Sequence, residues 1–174
     1  MFQSEEGGEE KSAWVRKIDL VPSSVSFRNL VILRVEQCYG IIKLITHSTA
    51  KSLVQLRGMR ISNCRDIEEI IQGADNDEIH FPQLNHLELI HLPTLESFCS
   101  SRNHTFGFPS LQTVIVCYCP KMKMFTGGHS NTPMLHKVLS SNWINEGSWE
   151  GSLNSTIQQL FREENDMMEE TEEE

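Results

Sequence analysis

Several residues in this chain have the types and spacing that can do chemistry. "HLELIH" sets His86, Glu88 and His91 close together, an imidazole–carboxylate grouping suited to acid–base work. Cys117 and Cys119 form a C-x-C pair, and Cys38, Cys64 and Cys99 complete a set of five thiols that could ligate a metal. "TGGH" at 126–129 has the glycines of a phosphate-cradling loop but is too short for one. Asn103-His104-Thr105 and Asn154-Ser155-Thr156 match the glycosylation acceptor pattern. There is no H-E-x-x-H segment, no nucleophile elbow and no G-x-x-x-x-G-K-[ST] loop. What these groups can do depends on where the backbone puts them.

The backbone is legible through a repeat. "FRNLVILRVEQCYGIIKL" from Phe27, "LVQLRGMRISNCRDIEEI" from Leu53, "FPQLNHLELIHLPTLESF" from Phe81 and "FPSLQTVIVCYCPKMKMF" from Phe108 share one pattern. Each has seven apolar slots, in the first unit Phe27, Leu30, Leu33, Val35, Cys38, Ile41 and Leu44. Aligned on the second slot, at Leu30, Leu56, Leu84 and Leu111, the periods are 26, 28 and 27 residues. The slots step by three, three, two, three, three and three, which is neither a helix nor a long strand. A coil of polypeptide explains it. The step of two is a short strand with both apolar residues inward, and the remaining slots reach the same core from the turns on either side. One coil cannot bury its own face, whereas stacked coils can.

This spacing resembles the leucine-rich repeat. The fold class expected is α/β: a leucine-rich-repeat solenoid with a short-stranded parallel sheet on its concave face, an irregular or short-helical convex side and a C-terminal capping helix. The slot held by Cys38, Cys64 and Cys119 takes Asn or Cys in such repeats, so these cysteines are expected to be buried structural thiols in a row, not ligands around one point. The third unit has Leu92 there. Strand alternation sends the other set outward: Ile32, Arg34 and Glu36; Gly58, Arg60 and Ser62; His86, Glu88 and Ile90; Thr113, Ile115 and Cys117. His86 and Glu88 then sit in solvent, without the cleft that catalysis needs. These residues mix charge with apolar groups, as interface patches do, and form the candidate partner-binding face. An ordinary solvated sheet face is the alternative.

The elements around the repeats are less regular. Val15, Ile18 and Leu20 in "WVRKIDLVPS" read as the strand of a shortened first repeat. "STAKSLVQL" reads as a short helix capped by Ser48. "QGADNDEIHFP", "SSRNHTFGFP" and "TGGHSNTP" read as loops on the convex side. After the fourth unit, Leu135 and Val138 keep the period, but Ser140 stands where an apolar residue is expected. Trp149, Leu153, Ile157, Leu160 and Phe161 follow at helical spacing, as a cap for the open end of the solenoid. The organisation is thus an acidic disordered tail over 1–12, a shortened repeat over 13–26, and repeats over 27–140. A cap over 141–162 and a second acidic disordered tail over 163–174 complete it.

Composition narrows the function classes. The net charge is −9, but the acidity lies at the ends: four glutamates in residues 1–10 and eight acidic residues in 163–174. Between them the chain is nearly neutral and has no basic run interleaved with aromatics, which excludes a nucleic-acid footprint. No apolar run is long enough for a membrane span, and the N-terminus lacks the apolar core of a secretory signal. Five cysteines without paired spacing fit reduced thiols. The expectation is a cytoplasmic chain with no cofactor, no metal, no membrane and no enzymatic activity.

"CRDIEEII", "FPQLNHLELIHLPTLESFCS", "FPSLQTVIVCYCPKMKMF" and the closing "WEGSLNSTIQQLF" resemble more than the general repeat. Over residues 14–162 the chain is similar to the C-terminal leucine-rich repeats of plant intracellular disease-resistance receptors of the coiled-coil, nucleotide-binding type. That resemblance implies a protein-recognition module whose ligand is a pathogen effector or a modified host protein. It also implies a nucleotide-binding receptor domain as a further partner. The sequence departs from the family by lacking a phosphate loop and a coiled coil, so it reads as a repeat-only relative or a fragment of a receptor. A leucine-rich-repeat adaptor for another complex, such as a ubiquitin ligase, is the alternative, although no F-box-like segment is present.

Overall fold

A computed structural model of the chain describes residues 12–15, 27–73, 78–140 and 147–172. In chain order the elements are β1 (Ser12–Val15), β2 (Ile32–Glu36), β3 (Lys43–Thr46), α1 (His47–Ser52), β4 (Gly58–Ser62), β5 (Glu69–Gln72), β6 (Glu78–His80), β7 (His86–Ile90), β8 (Thr105–Gly107), β9 (Thr113–Cys117), β10 (His129–Asn131), β11 (Val138–Ser140) and α2 (Leu153–Glu172). One strand per coil builds a six-stranded parallel sheet, in the order β1-β2-β4-β7-β9-β11. Its register follows the repeat: Leu33 pairs with Met59, Met59 with Leu87, Leu87 with Val114 and Val114 with Val138. The solenoid fold is as the spacing predicts.

Burial follows the apolar slots. All seven in the second, third and fourth units are buried, and so are Leu33, Val35, Cys38 and Leu44 of the first. Phe27, Leu30 and Ile41 are only partly buried against the same core. Phenylalanines carry the packing from coil to coil. Phe81 stacks on Phe108 with ring centroids 5.3 Å apart, and Phe98 on Phe125 at 4.7 Å. Such rings bring large apolar area with a defined mutual geometry, so they fix the coil spacing as well as excluding water.

The turn after each strand repeats as closely as the strand does. Gln37, Asn63, His91 and Tyr118 all take a left-handed backbone, with φ between 53° and 56°, and none is glycine. The N–H groups of the first three donate to Ser62, Ile90 and Cys117 carbonyls of the following coil. The ladder across coils holds a conformation that L-residues seldom adopt alone. The next slot turns inward. The Cys64 thiol donates to the Ser62 carbonyl at 3.3 Å, and the Cys64 sulfur accepts the Cys38 N–H at 3.4 Å. Cys119 reaches the Cys117 and Leu89 carbonyls at 3.4 and 3.5 Å. These thiols satisfy turn backbone, as the sequence predicts.

The convex side is more ordered than expected. The three segments read as loops contain β6, β8 and β10, which pair in parallel as a second sheet, and β3 and β5 form a third. Gly107 admits the His80 ring where any Cβ would collide with it. Gly127 and Gly128, the glycines of the stretch too short for a phosphate loop, lie against the Ser100 and His104 carbonyls, so their role is close coil packing. The cap of α1 is Thr46 and not Ser48: its hydroxyl accepts the Thr49 N–H at 3.3 Å. An ion pair between a buried carboxylate and a half-exposed lysine also lies on this side. Glu69 on β5 contacts Lys43 on β3 at 2.9 Å and accepts the N–H and hydroxyl of Ser100 at 2.6 and 2.8 Å. Burial alone would raise the Glu69 pKa. The Ser100 and Lys43 interactions outweigh that, and the carboxyl lies below its ordinary range.

The two ends of the solenoid differ. At the N-terminal end β1 pairs Ala13 with Leu33 and Val15 with Val35, so the strand of the shortened repeat ends at Val15, the first of its three expected slots. Ile18 and Leu20, the other expected slots, fall outside the described residues, as does the acidic stretch 1–11. At the C-terminal end Ser140 pairs with Val116 and is buried, its hydroxyl without a hydrogen-bond partner among the described residues. Ser148 and Val138 exchange backbone hydrogen bonds at 2.9 Å, and Leu153, Thr156, Ile157 and Leu160 of α2 are buried. The helix continues to Glu172, where composition predicts a disordered tail.

Candidate functional site

The outer face of the six-stranded sheet is laid out in rows by the strand register. One row runs Ile32, Gly58, His86, Thr113; the middle row runs Arg34, Arg60, Glu88, Ile115, Leu139; the third runs Glu36, Ser62, Ile90, Cys117. Parallel in-register pairing makes such rows inevitable, because each residue opposes its equivalent in the next coil. Eleven side chains of this face, with Gly58 set among them, were expected from the sequence to be available to a partner.

The structure gathers six of them into one hollow. Ile32, Arg34, Glu36, Arg60, His86 and Glu88 line a concavity of about 560 Å³ together with Gly58. The glycine makes the hollow: between Ile32 and His86 it has no side chain, and a Cβ there would meet only Ile32, at 4.0 Å. Val31, Arg57 and Asn85 also line it, and sequence reasoning missed them. They lie just before the strands, where the alternation used to assign the face does not yet apply. Ile90, Thr113, Ile115 and Cys117 lie on the same face, half-buried, further along the solenoid.

Two expectations need correction. Ser62 is buried and not exposed. It is the short member of its row, flanked by Glu36 and Ile90, and it presents no surface to a partner. Glu88 is not in open solvent either, since its side chain is only 13% exposed. Arg60 Nη1 reaches Glu88 Oε2 at 2.6 Å, Arg60 Nε lies 3.7 Å from Glu36 Oε1, and His86 Nε2 is hydrogen-bonded to Glu88 Oε1. The acid–base grouping is therefore a cross-strand network whose carboxylate oxygens are both engaged. His91 is not part of it; its ring stacks on Tyr118 at 4.3 Å.

This arrangement suits recognition. Arg and carboxylate groups held across strands offer oriented donors and acceptors beside the apolar Ile32. Among the described residues no three His, Cys, Asp or Glu side chains are grouped to hold a metal ion. Cys117 is half-buried on the face while Cys119 is buried, as alternation requires. Asn154 of the second sequon has its carboxamide oxygen engaged by the Phe125 and Thr126 N–H groups, and Thr156 is buried. That sequon is occupied by folding. No helix among the described residues is long and apolar enough to cross a membrane.

None of the curated proteins and none of the solved structures matches this chain. The family model of leucine-rich repeats of the plant disease resistance protein RPS2-like kind does match, over residues 7–127. That span takes in β1 and all four full units, and so five of the six strands of the outer face. With fold, repeat register and family match in agreement, this chain belongs to the RPS2-like leucine-rich repeats of plant disease resistance proteins.

Proposed function

We propose that this chain is a non-catalytic, cytoplasmic recognition module of plant defence, which docks a pathogen-derived or modified host protein on the outer face of its six-stranded sheet. The observation that carries this reading is the hollow opened by Gly58 and rimmed by Arg34, Arg60 and the Glu88–His86 pair. Leucine-rich-repeat domains generally bind proteins, and a charged, partly apolar hollow on a rigid sheet fits such a role. The buried thiols fit a reducing compartment.

Gly58→Trp tests it. The strand tolerates a Cβ at this position, so the indole fills the hollow without disturbing the core. A host or pathogen protein captured from infected plant tissue by the wild-type chain should be lost with Gly58→Trp, and also with Arg34, Arg60 and Glu88 replaced together by alanine. Capture that survives both variants, with unchanged circular dichroism, would reject this face.

A further inference from the structure

The charges of the chain are unevenly placed. Residues 11–96 include ten acidic residues, yet none stands between Glu96 and Glu146. That acid-free stretch holds Arg102, Lys121, Lys123 and Lys137. It forms the last coils, and so the C-terminal half of the outer face. There β9 and β11 present Thr113, Ile115, Cys117 and Leu139, all half-buried and uncharged. Lys137 is exposed and precedes β11 by one residue, so the Val138–Val114 pairing sets it beside Thr113. At the other end of the strands Tyr118 is 57% exposed and stacked on His91. Lys121 and Lys123, both exposed, follow Tyr118 along the chain. Two carboxylates border this half of the face: Glu88, opposite Ile115 and already paired with Arg60, and Glu96, whose carbonyl accepts the Lys123 N–H at 3.2 Å in the neighbouring coil.

We propose that this half of the face takes an acidic segment of a partner protein. The segment seats an apolar side chain on Ile115, Leu139 and the Tyr118–His91 stack, with its carboxylates answering Lys121, Lys123 and Lys137. Apolar contact at the centre supplies affinity, and the surrounding cations set specificity and association rate. A basic segment would meet like charge at Lys121 and Lys137, and at Lys123 beyond what Glu96 offsets. The proposal rests on the docking reading above and adds the chemistry of the partner.

The test uses two short labelled peptides, one with a tryptophan among glutamates and one with lysines replacing the glutamates. Fluorescence anisotropy should show the acidic peptide binding and the basic one not. Reversal of Lys121, Lys123 and Lys137 together to Glu should weaken binding about tenfold or more, and added salt should weaken it steeply. Equal binding of both peptides, no binding of either, or indifference to the triple reversal would overturn the proposal. So would a concentration-dependent dimer that is lost when the acidic residues after Arg162 are replaced by glutamine, because a second copy would then occupy the face. Gly58→Trp should leave the peptide bound. If that variant loses the native partner while the two peptides bind alike, docking on the sheet stands and the acidic preference falls.

Discussion

The carboxamide oxygen of Asn154 accepts the Phe125 N–H at 2.8 Å and the Thr126 N–H at 3.1 Å. Inside the solenoid the equivalent donors find a carbonyl of the next coil: Ile71 N–H donates to Phe98, and Phe98 N–H donates to Phe125, both at 2.8 Å. Among the described residues no further coil supplies that carbonyl to Phe125 and Thr126. One side chain of α2 takes its place and closes the ladder. Asn154→Ala would strand both donors in a half-buried site, at a cost of about 1–3 kcal/mol. Asn154→Asp keeps an acceptor and should cost less. Chemical denaturation of the two variants checks the order, and equal losses would show that the hydrogen bonds do not matter.

Glu69 gives the chain a pH dependence with a defined sign. Its folded pKa lies below the ordinary carboxyl value, so its stabilisation is fully present above the unfolded pKa. It is lost as pH falls through the folded pKa. Denaturation midpoints should therefore fall as the pH drops through and below the ordinary carboxyl range, and Glu69→Gln should flatten that fall. At pH 7 the same substitution weakens the charge-assisted hydrogen bonds that Glu69 accepts from Ser100 and Lys43 and should cost about 1–2 kcal/mol. A wild-type acid profile that Glu69→Gln leaves unchanged would place the dependence elsewhere.

The inward slots were legible because burying them is the one thing each coil must do. From Leu53 to Phe125 every predicted slot is buried, whatever its residue type. The convex strands were not legible. "EIH", "TFG" and "HSN" carry no local strand pattern, and their pairing exists only because stacked coils bring equivalent backbones into register. The same holds at the site. Alternation assigned Glu88 to the outer face, but its withdrawal depends on Arg60, a residue from another coil. Ser62 is covered by its ladder neighbours, and the hollow at Gly58 is an absence of atoms that a pattern of residue types does not show.

The thiols should react in an order set by their surroundings. Burial, opposed by the Cys38 N–H, pushes Cys64 up to about 11, and burial also raises Cys99. The thiolate is the reactive form, so both should be slow at neutral pH. Cys117 is the one described cysteine that is not buried. A thiol reagent on the native chain should modify Cys117 first, with Cys38, Cys64, Cys99 and Cys119 following only as the fold opens. Mass spectrometry of a time course decides it. Labelling of Cys64 at the rate of Cys117 would contradict the register.

The first coil should be the first to open. Leu30 is partly buried, whereas its equivalents Leu56, Leu84 and Leu111 are fully buried, and Phe27 and Ile41 differ from their counterparts in the same way. A coil in the middle of a solenoid is covered on both sides, and its local opening must break both interfaces. The first full coil has β1 as its upstream neighbour in the sheet. Ile42, 54% exposed, marks how little covers its convex turn. Leu84→Ala should cost about 3 kcal/mol or more, and Leu30→Ala roughly half of that, because less apolar contact is lost. Hydrogen exchange should show protection rising from residues 30–36 to residues 84–116. Uniform protection across both segments would mean that β1 and the chain around it cover the first coil as well as a full repeat would.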